Sequence, residues 1–478
     1  MHPYITLIAL LFAPVLHSQV QTDYQPLSTK PPARVALLAK LEKRYTADLE
    51  RLPKTNRKDL ESIYTERYTD LTGSVEAGLF LFGDEFNAYY QTILDEIFRA
   101  NPGVPAKEIR LLISRDPAPN ALCLGEGTLL LNIGLVRRLE NESQLAFVLC
   151  HELAHYSLNH VNNAIQRYVE NRNSKKTQLE IRAIARSAYG RNEKALRLLQ
   201  GMVFSDRRHS RLFESQADSL ALMYLRNTAY EEREALRCLA LLDEADQEKY
   251  PQTPNLRKAF DDPAYPFKDA WLKTESTLYG GVNQSENTWN ADSLKTHPDC
   301  KKRIELLEKQ NFLPGKPKFI QPEIRFRTQV ETGDFEIIQS NFDGGDYGAC
   351  LYQTLLLLDK YPDNGYLHGM IGRCLCAIGT ALQQHDLGNH VELPAGDTPL
   401  PYRSVLTFIH NLRTREVVAL AVHYLNTRQA QFDHHETFLF ARCQAAVLSG
   451  NAAETKALKK QYLELFPRGI HAAEARAL

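Results

Sequence analysis

Apolar positions recur at helical spacing along most of the chain. Arg34 to Leu52 and Arg57 to Leu71 read as two charged helices separated by Pro53. Gly73 to Gly83 reads as a turn or loop near the core, and Asp84 to Ala100 (DEFNAYYQTILDEIFRA) as an amphipathic helix closed by Asn101-Pro102-Gly103. The period then shortens to two. Glu108 to Ser114, Ala121 to Leu124 and Thr128 to Ile133 predict short strands, with turns at Asp116 to Asn120 and at Gly125-Glu126-Gly127. Gly134 opens a short helix. A longer one starts at Glu142 behind the cap pair Asn141 and Gln144, and no Pro or Gly interrupts it as far as Asn163. Residues 164–212 are basic, polar and helix-prone, and RNSKKTQ within them reads as a solvated loop or as part of a lid over a cleft. Further helices are expected in Ser205 to Arg226, Glu231 to Lys249 and Cys300 to Gln310, with a Pro-rich loop at Tyr250 to Tyr265 and polar loops from Trp271 to Lys295.

After the three prolines of residues 314–322 the pattern changes. Amphipathic helices come in pairs, Asp346 to Tyr361 with Gly365 to Gln383 and Thr437 to Leu448 with Ala452 to Phe466, and the segments DKYPDN and ELFPRG both end a helix on an aromatic-Pro step. The pairs have small-residue seams and resemble a degenerate tetratricopeptide-type (TPR-like) array interrupted by the polar loop Asp386 to Leu400. An irregular helical bundle is the alternative.

A chain of 478 residues exceeds one ordinary core, so two or three domains are expected. Its net charge of -1 argues against nucleic acid or an anionic membrane as the main partner. Residues 1–18 (MHPYITLIALLFAPVLHS) read as a secretory signal peptide: Ile5 to Val15 is too short to span a bilayer, and Ser18 suits a small-residue cleavage site. No later stretch is long and apolar enough for a transmembrane helix, so an exported mature chain without a membrane span is expected. The eight cysteines lack the density of a disulfide scaffold, and Cys374-Leu375-Cys376 has no partner pair at zinc-ribbon spacing.

The chemistry concentrates in the Glu142 helix, which carries His151-Glu152-Leu153-Ala154-His155. Residues i and i+4 share one helix face, so His151 and His155 can present two imidazoles to one Zn²⁺, with Glu152 beside them to take a proton from an activated water. A buried helix with two hydrogen-bonded histidines would show the same five letters, so the third ligand decides. Val161 stands where another zinc-peptidase arrangement would place a third histidine, and His160 is one residue short, a structural or supporting position. A carboxylate on a separate helix is the other solution. In LFESQADSLALMYL, Glu214 and Asp218 share a face: Glu214 could bind the metal while Asp218 accepts a ligand histidine N–H. The small sheet before the metal helix offers an edge on which an extended peptide could add as a strand.

HELAH, then ESQAD, then Thr296-His297-Pro298 followed by Arg303, resemble in this order the motifs of the M48 metallopeptidases. Asn120-Ala121-Leu122 and the GTLLLNIGL segment resemble that family's edge-strand region. The resemblance covers roughly 85–312. It implies a zincin-like α+β fold, mainly α with a small β-sheet, holding one Zn²⁺ per chain on His151, His155 and Glu214, with Glu152 as base. With the pattern readings above, the expected domain order is 1–18 signal peptide, 19–83 N-terminal helical region, 84–312 peptidase domain, 313–322 linker and 323–478 TPR-like helical domain. His297 and Arg303 are the candidate donors to the developing oxyanion, and His297 is alternatively a resting-state block on the metal. The expected activity is endopeptidase cleavage of unfolded or misassembled cell-envelope proteins in a periplasmic or other extracytoplasmic setting. Residues 323–478 are a possible partner-binding surface. A chaperone-like or scaffolding protein with secondary or latent proteolysis, and an HExxH fold that has lost catalysis, are the competing readings.

Overall fold

The computed structural model describes residues 22–30, 34–179, 211–244, 252–273, 300–310, 312, 323–395 and 398–478. The expected signal peptide, residues 180–210 of the basic segment, the Thr296-His297-Pro298 turn and the 313–322 linker lie outside these. The described residues fall into two compact units. One draws on Leu27–Asp246 and Thr288–Val330, the other on Met1–Pro26, Gln247–Asn287 and Glu331–Leu478.

The first unit is built on helices α1 (Arg34–Glu50), α2 (Arg57–Glu76) and α3 (Asp84–Ala100) and on a three-stranded sheet. Strand β1 (Arg110–Ser114) pairs parallel with β3 (Thr128–Asn132), and β2 (Ala121–Cys123) pairs antiparallel with β3, in the order β1-β3-β2. Leu129 and Leu131 of the central strand are fully buried. Helix α2 does not stop at Leu71: Gly73 lies inside it, because a helical glycine costs only about 1 kcal/mol and Leu71 and Val75 bury against Leu41 and Phe80. The loop expected from Gly73 is therefore shorter, and Phe80 and Phe82 make isolated bridges to Ser114 and Ser28.

Helix α4 (Glu142–Ser157) starts as expected. Asn141 Oδ1 accepts from the Gln144 backbone N–H at 3.1 Å, and Gln144 Oε1 accepts from Glu140 N–H at 2.8 Å. Its residues from Gln144 to Ala154 are buried on every side, so α4 is a core helix and its polar residues need partners. The uninterrupted helix expected as far as Asn163 breaks at Asn159, which adopts φ 54°. Asparagine tolerates this left-handed conformation better than most residues. A second helix, α5 (His160–Asn173), begins one residue later in a new direction. RNSKKTQ is more helical than expected, with α5 running to Asn173 and residues 175–179 helical after a break at Ser174.

Residues 211–227 form α6, followed by α7 (Glu234–Asp243) and α8 (Cys300–Glu308). Helix α7 packs on both α4 and α8. The division between the units falls inside α9 (Glu323–Asp343).

The second unit contains α10 (Tyr347–Lys360) packed on α11 (Gly365–Gln383), α12 (Leu400–Asn411), α13 (Thr414–Asn426), and α14 (Glu436–Leu448) packed on α15 (Ala452–Leu465). Asp346, Asn364 and Asn451 cap α10, α11 and α15 through backbone N–H groups. The two aromatic-Pro steps end their helices alike: Tyr361 has φ -127°, ψ 68° and Phe466 has φ -128°, ψ 59°. A following proline disfavours helical geometry in both. Residues 252–273, placed by sequence in the peptidase segment, belong to this unit, because Phe260, Phe267 and Trp271 stack around Phe408 and join its core. Tyr24 also joins it, stacked on Phe335 at 4.5 Å and donating to Glu336 at 2.5 Å. No helix among the described residues is long and apolar enough to cross a membrane.

Gly127 sets the β2–β3 turn. It has φ +104°, and a Cβ there would stand 2.2 Å from the Glu108 carbonyl oxygen. Gly127→Ala is therefore expected to destabilise the first unit by about 2–3 kcal/mol, read as a lower urea midpoint. A midpoint equal to wild type would show that the turn relaxes freely.

Candidate metal centre

Helices α4 and α6 bring together three side chains that the sequence separates. His151, His155 and Glu214 place one ligand atom each within 4.8 Å of the others. His151 Nε2 and His155 Nε2 are 3.0 Å apart, Glu214 Oε2 is 3.4 Å from His151 Nε2, and Glu214 Oε1 is 3.5 Å from His155 Nε2. Tetrahedral ligands at about 2.0–2.1 Å from a zinc ion stand roughly 3.3 Å from one another, so the spacing fits a shared ion. Two imidazoles and one carboxylate, with a fourth position left open, is also a known donor set of catalytic zinc sites.

The supporting residues close in from α6 and α8. Asp218, one turn after Glu214, lies 3.0 Å from His151 Nδ1. Nδ1 thus donates to Asp218, which leaves the Nε2 lone pair facing the cluster. Arg303 is only 4% exposed. Its Nε and Nη2 donate to the two oxygens of Asp218 at 2.7 and 2.6 Å, and its Nη1 lies 3.1 Å from Glu214 Oε2. Arg303 was considered above as an oxyanion donor. The structure places its guanidinium against both carboxylates and also at the cavity that His151 and Glu152 line.

The electrostatics follow from this packing. Burial alone would raise the Asp218 carboxyl, but the Arg303 charge and hydrogen bonds, then His151, hold it below the usual range. Burial pushes His151 toward neutrality, yet its hydrogen bonds and charge interactions with Asp218 and Glu214 win and carry it to about 10. The same negative field that favours a proton on His151 favours a metal cation in its place.

His155 is supported differently. The break at Asn159 turns His160 back against it, and the two Nδ1 atoms are 3.1 Å apart. His160 Nε2 lies 3.2 Å from Gln216 Oε1, and its ring stacks on Phe213 at 4.2 Å. Burial holds the His160 imidazole below its ordinary value, so it is neutral near pH 7. The sequence reading gave His160 a supporting place but missed Gln216. The usable signal was Asn159, a residue type suited to a helix break just before a buried histidine.

Glu152 is 3% exposed. With His151 it walls a small cavity that Asn120, Ala121 and Arg303 also line, together with apolar side chains including Val148 and Leu239. Leu122 lies on β2 between Ala121 and Cys123. Asn120 Oδ1 is buried and has no hydrogen-bond partner among the described residues. His297, the remaining candidate, lies outside the described residues.

Residues 85–311 match the model of Peptidase family M48. The match spans just under half of the chain and shows that this segment is similar to that peptidase family. No curated protein matches the chain.

Removing Arg303 would leave two buried carboxylates facing each other. Arg303→Leu is expected to cost about 3–5 kcal/mol in the metal-free protein, measured by urea unfolding. Stability within about 1 kcal/mol of wild type would mean that the carboxylates are neutralised by protons instead.

Proposed function

We propose that the chain is a zinc-dependent endopeptidase acting on extended or unfolded polypeptide, with Glu152 as the proton-transfer base. The observation that carries this reading is the spacing of His151 Nε2, His155 Nε2 and Glu214 beside a cavity that Glu152 also walls. When bound, the ion supplies Lewis acidity at the scissile carbonyl. Glu152 takes the proton of the attacking water and returns it to the leaving amine. Asn120 Oδ1, buried without a partner among the described residues, offers an acceptor to a backbone N–H of the bound peptide, and the apolar wall suits a compact apolar side chain next to the scissile bond. His297, from the motif resemblance, is the candidate oxyanion donor or resting-state block.

The same proposal takes residues 323–478 as a TPR-like, partner-binding domain. The repeated Asx caps and the matched aromatic-Pro helix ends support it. The signal-like residues 1–18 support an exported, periplasmic or otherwise extracytoplasmic protein that acts on misassembled envelope proteins. A chaperone-like or scaffolding protein with latent proteolysis is the second reading, favoured by the size and separate core of the helical unit.

Purified protein incubated with an unfolded model protein should cleave it, lose cleavage on chelation and regain it with zinc. Glu152→Gln should lower the rate about 10²–10⁴-fold while still binding zinc. Cleavage by Glu152→Gln at the wild-type rate would exclude this base. No cleavage by folded, zinc-loaded wild type would favour the binding reading. Asn120→Ala should reduce kcat/KM about 3–10-fold, mainly through KM, as expected for one lost substrate hydrogen bond. An unchanged KM would remove Asn120 from the peptide site.

A further inference from the structure

The two histidines of the cluster are held from behind by different chemistry. His151 leans on Asp218, whose charge is offset by Arg303. His155 leans on a neutral chain, His155 Nδ1 to His160 Nδ1 at 3.1 Å, then His160 Nε2 to Gln216 Oε1 at 3.2 Å. One set of protons satisfies every link. His155 donates from Nδ1 to the Nδ1 lone pair of His160, and His160 donates from Nε2 to the Gln216 carbonyl oxygen. This leaves the His155 Nε2 lone pair directed at the cluster. The reverse set would put a proton on His155 Nε2, 3.5 Å from Glu214 Oε1, and would make the Gln216 oxygen face a lone pair.

We propose that His160 is a positioning residue that fixes the tautomer and ring orientation of His155 for metal binding, with Gln216 fixing His160 in turn. The inference rests on reading the cluster as a metal site. A neutral relay has a physical reason here. The cluster already buries Glu214 and Asp218 against the guanidinium of Arg303, and a carboxylate behind His155 would add a third buried negative charge. An imidazole relay gives direction without charge. The relay is also held in place independently of any metal. His160 is 3% exposed, its ring stacks on Phe213 at 4.2 Å, and the Arg167 guanidinium covers the same Phe213 ring at 4.3 Å. Asn159, in its left-handed conformation, is what turns the chain so that His160 reaches His155.

The test is zinc affinity, measured by competition with a chromophoric chelator, together with the melting temperature of each metal-free protein. His160→Phe keeps the ring and its stack but removes both nitrogens. It is expected to weaken zinc binding about 10–100-fold while the metal-free melting temperature stays near wild type. His160→Gln, which keeps an acceptor, should recover part of that affinity, and Gln216→Leu should show a smaller loss of the same sign. Wild-type affinity in a folded His160→Phe protein would overturn the relay while leaving the metal site standing. If His160→Phe fails to fold, Gln216→Leu decides, and an unchanged affinity there overturns the proposal. Absence of zinc binding by wild type would overturn the metal-site reading and the relay with it.

Discussion

Glu214 and Asp218 stand one helical turn apart on α6, with 5% and 2% of their surfaces exposed. Two buried carboxylates at that separation cannot stay ionised unless positive or hydrogen-donating groups surround them, because removing each from water costs several kcal/mol. That constraint selects what packs against α6. Arg303 arrives on α8 and engages both acids, and His151 arrives on α4 and donates to Asp218. The position of α8 therefore matters to the centre as much as the position of α4. Helix α7, packed on both, ties them together. A metal cation would complete a charge arrangement that the protein has already built.

The backbone imposes the second constraint. Helix α4 is buried all round, so its two histidines and Glu152 are fixed by the packing of Leu145, Leu149 and Leu153 rather than by solvent. Ending it at Ser157 and reversing at Asn159 converts a sequence neighbour, His160, into a support for His155. The small sheet sets the other wall. Gly127 allows β2 to fold back onto β3, and the Asn120–Ala121 end of β2 then comes beside His151 and Glu152. An inserted side chain at Gly127 would disturb that wall without touching a ligand.

The second unit combines a large apolar core with buried charged residues such as Glu336, Glu436 and Arg442, of which Glu336 and Glu436 accept from Tyr24 and Tyr462. Its core recruits Tyr24 and the Phe260–Trp271 segment from distant parts of the sequence. Their burial explains why residues 252–273, although inside the span that matches the peptidase family, do not belong to the unit that carries the His151, His155 and Glu214 cluster.

Sequence alone determined whatever depends on local spacing. The i, i+4 geometry of His151 and His155 and of Glu214 and Asp218 follows from helical pitch, and the Asn141 cap, the three strands and the aromatic-Pro helix ends follow from residue-type preferences a few positions long. Local spacing also predicted wrongly in two places where a weak preference lost to packing, at Gly73 inside α2 and at Asn159 between α4 and α5. Only the tertiary structure decided the contacts of Arg303 with Asp218, those of His160 with His155 and Gln216, and the membership of Trp271 in the other core. Apart from the His155–His160 pair, each of these is a contact between segments far apart in sequence, and their partners are chosen by burial and charge compensation, which have no period to read along a chain.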